Sequence, residues 1–466
     1  MGKELDLVVV GSGPGGLSAA LEAAEAGVQV TLLDAYPVPG GQYYRQPPER
    51  LVSQSTPHQR QGQSLWRKVQ AAGVKIDSDT LVWNASPDKS LVYSNAQGSG
   101  RVKARAIILA SGAYERPVAF PGWTLPGVLM TGGAQALLYQ HILPGKRVLL
   151  AGTGPLQIVV AKKLLDSGAE VVAVLEGAQL LARGVRHTAA LWGQWERLSE
   201  GASGMAAMLS KGVPYRLGWG ILAAQGAKEV EGATIARLDQ DWRPIPGTEK
   251  EIACDTICIE YGFVPFNALS KIIGARQIWR PELGGEVPER DAATQTSIPG
   301  VYAVGDGAGI GGVRMSLIEG RVAGRAAALL LGCAKGSIQA FLREIRPQMR
   351  REQAFQRMYT DLFTPGPGAF ELAREDTLVC RCEGVTLEKI RQAVKMGAKS
   401  ISEVKSITRT GMGECQGRIC GPIIMHLVSK FSGTPLAEVG TYSARPPIFP
   451  LPLEILSRDA NEFSLT

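Results

Sequence analysis

Two stretches of this chain share one layout, and no other feature of the sequence narrows the fold as much. LDLVVV runs into GSGPGG, LSAALEAAEAG and VQVTLLD; later KRVLLA runs into GTGPLQ, IVVAKKLLDSG and AEVVAVLE. Each reads as strand, glycine turn, helix and strand, the unit in which parallel strands are joined by a crossover helix. An acid closes each second strand: Asp34 stands 23 positions after Gly11, and Glu176 stands 24 after Gly152. The spacing therefore predicts an α/β chain with two nucleotide-type units. Its 56 glycines among 466 residues suit so many tight turns.

In the first turn, Gly11 makes the bend, Gly13 lets the backbone approach a pyrophosphate, and Gly16 lets the helix pack on the strand. Pro14 and Gly15 open the helix, whose N-terminus offers N–H groups and partial positive charge to a phosphate. Asp34 is placed to accept hydrogen bonds from a ribose 2′-OH. In the second turn Gly152 and Gly154 keep their places, but Gln157 stands where the third glycine belongs. The helix is expected to stand off the strand and alter the pocket there. Glu176 suits a free ribose 2′-OH and argues against NADP, whose 2′-phosphate would want an arginine.

The formal charge of +7 comes from 50 basic and 43 acidic residues spread along the chain, without a nucleic-acid-binding motif. An ordinary basic surface is the expectation, with no nucleic-acid partner. The sequence enters a strand after a few residues, so no leader is expected, and charged or polar residues interrupt every apolar run before membrane-spanning length. A cytoplasmic location follows as an expectation, free or peripheral to a membrane. Seven cysteines, four of them between 380 and 420, suit a metal site in a reducing compartment better than a disulfide framework.

Farther along, RAIILASGAYERP reads as a buried strand with a glycine turn, and SIPGVYAVGDGAGIGG as a strand feeding another. The helix after it carries Gly320 and Gly324, which permit close packing on the sheet. After Gly305, the Asp306 carboxylate can accept hydrogen bonds from the ribityl hydroxyls of FAD. With Ala110 to Gly112 and the Gly40-Gly41-Gln42 loop, these residues resemble the two-dinucleotide-binding flavoproteins of glutathione reductase type. The resemblance spans 5 to about 330. It implies an FAD domain built from both ends of that stretch, with Gly41, Gln42, Ala110, Gly112, Gly305 and Asp306 joining the first turn around the cofactor. It also aims the helix beginning near Arg314 at the flavin, where its N-terminus would steady reduced-flavin charge.

Cys380-Arg381-Cys382 and Cys415-Gln416-Gly417-Arg418-Ile419-Cys420 form two close thiol pairs that can bind zinc or a [2Fe–2S] cluster. The C-x-C pair fits zinc knuckles poorly. Between the pairs lie two short helices with Thr386 and Ser402 as N-caps, and Pro422 opens a third. Residues 378 to 432 resemble [2Fe–2S] domains of bacterioferritin-associated ferredoxin type, although C-x₂-C is the commoner second pair. Arg381, Arg409 and Arg418 either offset cluster charge or are plain surface charge. Cys254 and Cys258 read as core thiols. No histidine among His58, His141, His187 and His426 lies in a proton-transfer motif.

The order GSGPGG, ASGAYERP, PGWTLPGV, GTGPLQ, YGFVP, VYAVGDGAGIGG, CRCEG and GECQGRICG resembles the α subunits of multi-subunit flavin dehydrogenases. That family includes the A subunit of opine oxidase (octopine and nopaline), the B subunit of hydrogen cyanide synthase, and D-hydroxyproline and proline dehydrogenase α subunits. It implies a D-amino-acid-oxidase-like flavoprotein as the partner β subunit, which oxidises an amine, opine or amino acid. The α subunit then passes electrons through FAD and the iron–sulfur centre, sometimes with FMN where the subunits meet; a further small subunit can belong to the complex. The second turn would hold an adenine nucleotide structurally or nothing. A self-sufficient NADH-dependent reductase and a non-catalytic redox docking protein are the rival readings.

The expected domains are 1–117 with 250–335 for FAD, 118–249 for the degenerate second nucleotide unit, a helical linker 336–370, the cluster domain 371–433 and a tail 434–466. The proline-rich tail reads as a docking segment or a loosely held end.

Overall fold

A computed structural model describes residues 4–48, 52–53, 55–180 and 185–459. The chain is mixed α/β and divides into two compact units, Met1–Tyr114 with Val264–Gln353 and Ser443–Thr466, and Glu115–Phe263 with Ala354–Tyr442. Among the described residues, no helix is long and apolar enough to cross a membrane.

In the first unit, Leu5–Val10 lies between Val30–Leu33 and Gly98–Leu109, parallel to both. Leu7, Val8 and Val9 are completely buried, as expected of a parallel strand covered on both faces. Val301–Ala303 joins beside Gly98–Leu109, so a segment some two hundred residues away completes the parallel part. The first half of Gly98–Leu109 pairs antiparallel with Ser90–Asn95, which continues to Leu81–Ala85.

The helix Pro14–Glu25 packs on the helix Gly312–Leu330. A methyl group on Gly320 would stand 2.3 Å from the Gly15 carbonyl oxygen, and one on Gly324 would stand 2.4 Å from that of Ala19. These glycines therefore serve a helix–helix contact, where the sequence pointed to the sheet. The same contact buries Glu22 against Arg325 at 2.6 Å and Arg321 at 3.5 Å. Ile448, in the proline-rich stretch, is buried in this unit and donates its N–H to the Trp83 carbonyl at 3.1 Å. Phe449 sits beside Phe266, so this part of the tail is neither loose nor free to dock.

The second unit repeats the plan. Arg147–Gly152 lies between Glu170–Glu176 and Thr256–Glu260, all parallel, with Tyr215–Leu217 and Val128–Met130 at the edges. An antiparallel layer, Trp219–Gln225, Gly232–Arg237 and Lys250–Ala253, follows. Cys254 and Cys258 are buried core thiols here. The Pro-Gly stretch at 364–370 is packed rather than loose: Gly366 and Gly368 lie against Trp242, and Phe370 stacks on His426 at 3.7 Å.

The cysteine-bearing part consists of a short hairpin, Leu378–Cys380 with Val385–Thr386, and the helices Leu387–Lys395, Ile401–Thr408 and Cys420–Ser432. Thr386 occupies the first N-cap, although its side chain makes no capping bond. Ser400, not Ser402, caps the second helix, because Glu403 three residues on completes a capping box with it.

Candidate functional site

The first glycine turn has the crowding and the opening that a dinucleotide requires. Gly11 holds φ at +100°, and a methyl group there would press on the Ala110 carbonyl oxygen at 2.4 Å. One on Gly16 would reach the Gly11 carbonyl oxygen at 1.8 Å, so helix and turn touch at backbone distance. Around Gly13, by contrast, nothing lies within 4 Å of that position. The loop after Asp34 folds back: Gly40 donates its N–H to Ser12 O at 3.0 Å, and Gly41 sits against the Cα of Gly13. Gln42 bonds Tyr36 Oη at 2.9 Å at the exposed rim.

Asp34 is buried, and accepts the Ser12 N–H at 2.5 Å and the Tyr36 N–H at 2.7 Å. Opposite, Gly307 approaches Ser111 and Gly112 so closely that an added carbon would lie 2.7 Å from Ser111 Oγ. The structure thus brings Gly112 beside the turn that carries Asp306. Asp306 Oδ1 accepts the N–H groups of Gly311 and Gly312, both at 2.9 Å, at the start of the helix Gly312–Leu330. Loss of hydration raises its carboxyl above the usual range, and the two N–H groups oppose that rise.

Two residues at this turn escape a reading of the sequence. Glu319 accepts the Gly305 N–H at 2.8 Å, and its carboxylate pairs with Arg290 at 3.1 Å, both side chains mostly buried. Arg290 also donates to the Ala303 carbonyl at 2.8 Å. The only sequence signal is an acid one helical stretch after VGD, and nothing local ties it to Arg290.

The second turn is built differently. Gln157 is fully buried, and with its amide turned so that both ends find partners, the oxygen accepts from the Thr153 N–H and the nitrogen donates to the Leu175 carbonyl, both at 3.2 Å. The side chain is thereby absorbed into the turn. Glu176, also fully buried, accepts the Gly154 N–H at 3.0 Å and the Ala178 N–H at 2.8 Å. Burial pushes its carboxyl up to about 7. Glu260, at the end of the neighbouring strand, has both carboxyl oxygens enclosed with no side chain bonded to them. Burial, and then the nearby Glu115 and Glu176, hold it well above the ordinary range, while the Gln157 N–H pointing its way offsets little. Glu115 receives the Gly132 and Gly133 N–H groups at 2.7 and 3.1 Å, and burial raises it to about 7.

All four cysteines of the two pairs come together. Cys420 lies beside Cys380 and Cys415, and Cys415 beside Cys382, close enough for each thiol to shift its neighbours' ionisation. Cys380 is lowered to about 6 and Cys415 to about 5, in each case chiefly by the neighbouring Cys420 thiol. Cys420 is driven the other way, upward, by the same two neighbours. Among the described residues, no three His, Cys, Asp or Glu side chains are arranged to hold a single metal ion.

Four neighbouring thiols, no three of them set around a single ion, fit a [2Fe–2S] cluster better than one tetrahedral metal. Tyr442 covers the array: its ring crowds Gly411 and Gly417, and its hydroxyl stands 3.9 Å from Cys420 Sγ. Gly413 leaves room for Cys382, whose Cβ would lie 2.2 Å from an added carbon. Of the three arginines, Arg409 pairs with Glu383 at 3.1 Å and Arg381 lies 5.7 Å over the Trp123 ring. Arg418 donates its backbone N–H to the Cys415 carbonyl at 3.0 Å.

Known proteins resemble the chain in two stretches. Residues 5–327 match the pyridine nucleotide-disulphide oxidoreductase family, and residues 378–430 match the BFD-like [2Fe-2S] binding domain. The opine oxidase A subunit of Agrobacterium tumefaciens is 32% identical, over 97% of this chain and 91% of its own. The HcnB subunit of hydrogen cyanide synthase from Pseudomonas aeruginosa is 33% identical, over 96% and 97%. The crystal structure of L-proline dehydrogenase from P. horikoshii shares the fold with a TM-score of 0.70 at 19% identity, covering 97% of this chain and 79% of that one. The first family implies FAD, and the second a [2Fe–2S] cluster. An open first turn, four converging thiols and this likeness over nearly the whole length have one reading: the chain belongs to the pyridine nucleotide-disulphide oxidoreductase family, as a flavin-dependent oxidoreductase with a BFD-like [2Fe–2S] domain, akin to HcnB and its opine oxidase counterpart.

Proposed function

We propose that this chain is the electron-transfer subunit of a heteromeric flavin dehydrogenase, and that a partner flavoprotein oxidises an amine, opine or amino acid and delivers the electrons. The observation that carries this reading is the contrast between the two turns: space lies open around Gly13, whereas Glu260 and Tyr359 crowd Gly154. A chain that took electrons from a nicotinamide would need the second turn open as well. The relatives named as subunits of opine oxidase and hydrogen cyanide synthase support the need for a partner. Its nature, a D-amino-acid-oxidase-like flavoprotein, follows from the family resemblance, as does FMN where the subunits meet.

In this reading Gly11, Gly13, Pro14, Gly15 and Gly16 seat the FAD pyrophosphate, and Asp34 holds the adenosine ribose. Gly41, Gln42, Ala110 and Gly112 line the cofactor, while Gly305 and Asp306 present a carboxyl group to its ribityl chain. Cys380, Cys382, Cys415 and Cys420 ligate the cluster. When bound, FAD accepts an electron pair and the cluster passes electrons singly. Tyr442 and the glycines beneath its ring exclude water on the Cys420 side of the thiols. Glu176 keeps the Gly154 N–H turned inward, so Gly152 and Gly154 hold no nicotinamide; an adenine nucleotide bound for structural reasons is the most this turn would take.

The test is anaerobic addition of NADH to the chain loaded with FAD and cluster. The flavin absorbance is expected to remain unchanged, and rapid bleaching would overturn the proposal in favour of an NADH-dependent reductase. Purification from the native host should bring down a second flavoprotein, and amine-dependent flavin reduction should require it.

A further inference from the structure

Glu260 and Ala110 occupy the same place in the two units. In the second, Glu260 pairs with Gly152 across the parallel ladder; in the first, Leu109 pairs with Val10, which sets Ala110 beside Gly11. The backbones do the same work: a methyl group on Gly11 would meet Ala110 O at 2.4 Å, and one on Gly152 would meet Glu260 O at 1.8 Å. Only the side chains differ, a methyl against a carboxyl.

That carboxyl has nowhere else to go. A carbon added to Gly154 would lie 2.6 Å from Glu260 Oε1 and 3.2 Å from the Tyr359 hydroxyl, while the same position on Gly13 is open. The backbone has adjusted as well, with φ at +124° for Gly154 against −65° for Gly13. The second glycine of such a turn lacks a side chain so that a pyrophosphate can approach its backbone. Glu260 is 1% exposed, and its carboxyl has no side-chain partner, only the Gln157 N–H turned toward it. Buried polar groups are seldom left unpartnered, and an exception calls for a purpose other than stability.

We infer that Glu260 is the specificity-determining residue of the second glycine turn: its carboxyl fills the pyrophosphate seat and keeps a nicotinamide dinucleotide out. This deepens the function proposed above and rests on it. Exclusion works in either protonation state, since the neutral acid occupies the space and the carboxylate adds like charge against a phosphate. Tyr359 narrows the seat from the other side. Discrimination of this kind depends on an obstructive group and not on the loss of the glycine pattern, which explains how Gly152 and Gly154 persist beside a closed pocket.

NADH and, separately, ADP-ribose should be titrated calorimetrically into the full chain loaded with FAD and cluster, and into Glu260→Ala and Glu260→Ser. Removing the carboxyl breaks no side-chain pair, so both variants are expected to keep the unit folded, which melting curves check. The unsubstituted chain is expected to bind each probe about a hundredfold more weakly than either variant. Absence of any gain in both variants overturns the role of Glu260 and leaves the proposed function standing. Tight NADH binding with flavin bleaching in the unsubstituted chain overturns both.

Discussion

Glu319 accepts the Gly305 N–H at 2.8 Å, so the turn that carries Asp306 is held by a carboxylate fourteen residues farther along the chain. Arg290 meets that carboxylate at 3.1 Å with both side chains mostly buried. Removing one partner strands the other in a dry setting, which typically costs about 3–5 kcal/mol. Glu319→Ala should therefore lower the melting temperature and release FAD on gel filtration. Glu319→Gln keeps an acceptor for Gly305 and should retain more cofactor; equal FAD content in all three proteins would refute this role.

Gly13 and Gly16 separate binding from folding. Gly13 has a φ of −65°, which alanine adopts freely, and open space around it. Gly13→Ala should leave thermal stability near the starting value while weakening FAD binding roughly tenfold or more. Gly16→Ala would drive a methyl group to 1.8 Å from the Gly11 carbonyl oxygen. Such overpacking costs about 1–3 kcal/mol or more, so this variant should lose stability first. Fluorimetric FAD titration alongside melting curves distinguishes the two.

Glu176 makes the second unit sensitive to pH. Its carboxyl is pushed from 4.5 to about 7 by burial, so between those values the unfolded chain ionises while the folded one remains protonated. The stabilisation is complete below pH 4.5 and lost as pH rises to about 7, on the order of 3 kcal/mol. His426 acts in the opposite sense: burial, and then Arg116, lower it from 6.5 to about 3, so its contribution is full above 6.5 and lost as pH falls. The measurement is thus a difference. Between pH 5.5 and 7.5, Glu176→Gln should show a smaller decline in melting temperature than the unsubstituted chain; parallel curves would contradict it.

Four thiols should matter and one should not. Serine at Cys380, Cys382, Cys415 or Cys420 is expected to abolish the visible absorbance of the cluster and most bound iron. Cys333 is exposed, and serine there should leave both unchanged. Metal analysis after anaerobic purification should find about two irons per chain and no stoichiometric zinc; the reverse would replace the cluster with a structural zinc site.

Much of the site is legible in the sequence because its causes are local. GSGPGG and Asp34 lie within one βαβ unit, and the thiols announce themselves as two close pairs. Ser400 is easily passed over as a cap because Ser402 also precedes an acid, and only the helix start distinguishes them. Gly320 and Gly324 read as packing glycines, but their partner, the helix Pro14–Glu25, lies some three hundred residues away. Gln157 looks like damage in the glycine pattern, whereas burial and two amide bonds make it part of the turn.

By itself the sequence determined the two α/β units, the character of the first turn and the identity of the four thiols, since glycine φ, strand alternation and short spacings act over a few residues. Tertiary structure alone decided that Glu260 faces Gly154, that Glu319 holds Gly305 and that Tyr442 lies over the thiols. Those relations join residues far apart in the chain, and whether a carboxyl stabilises a turn or obstructs it depends on which strand the sheet sets beside it.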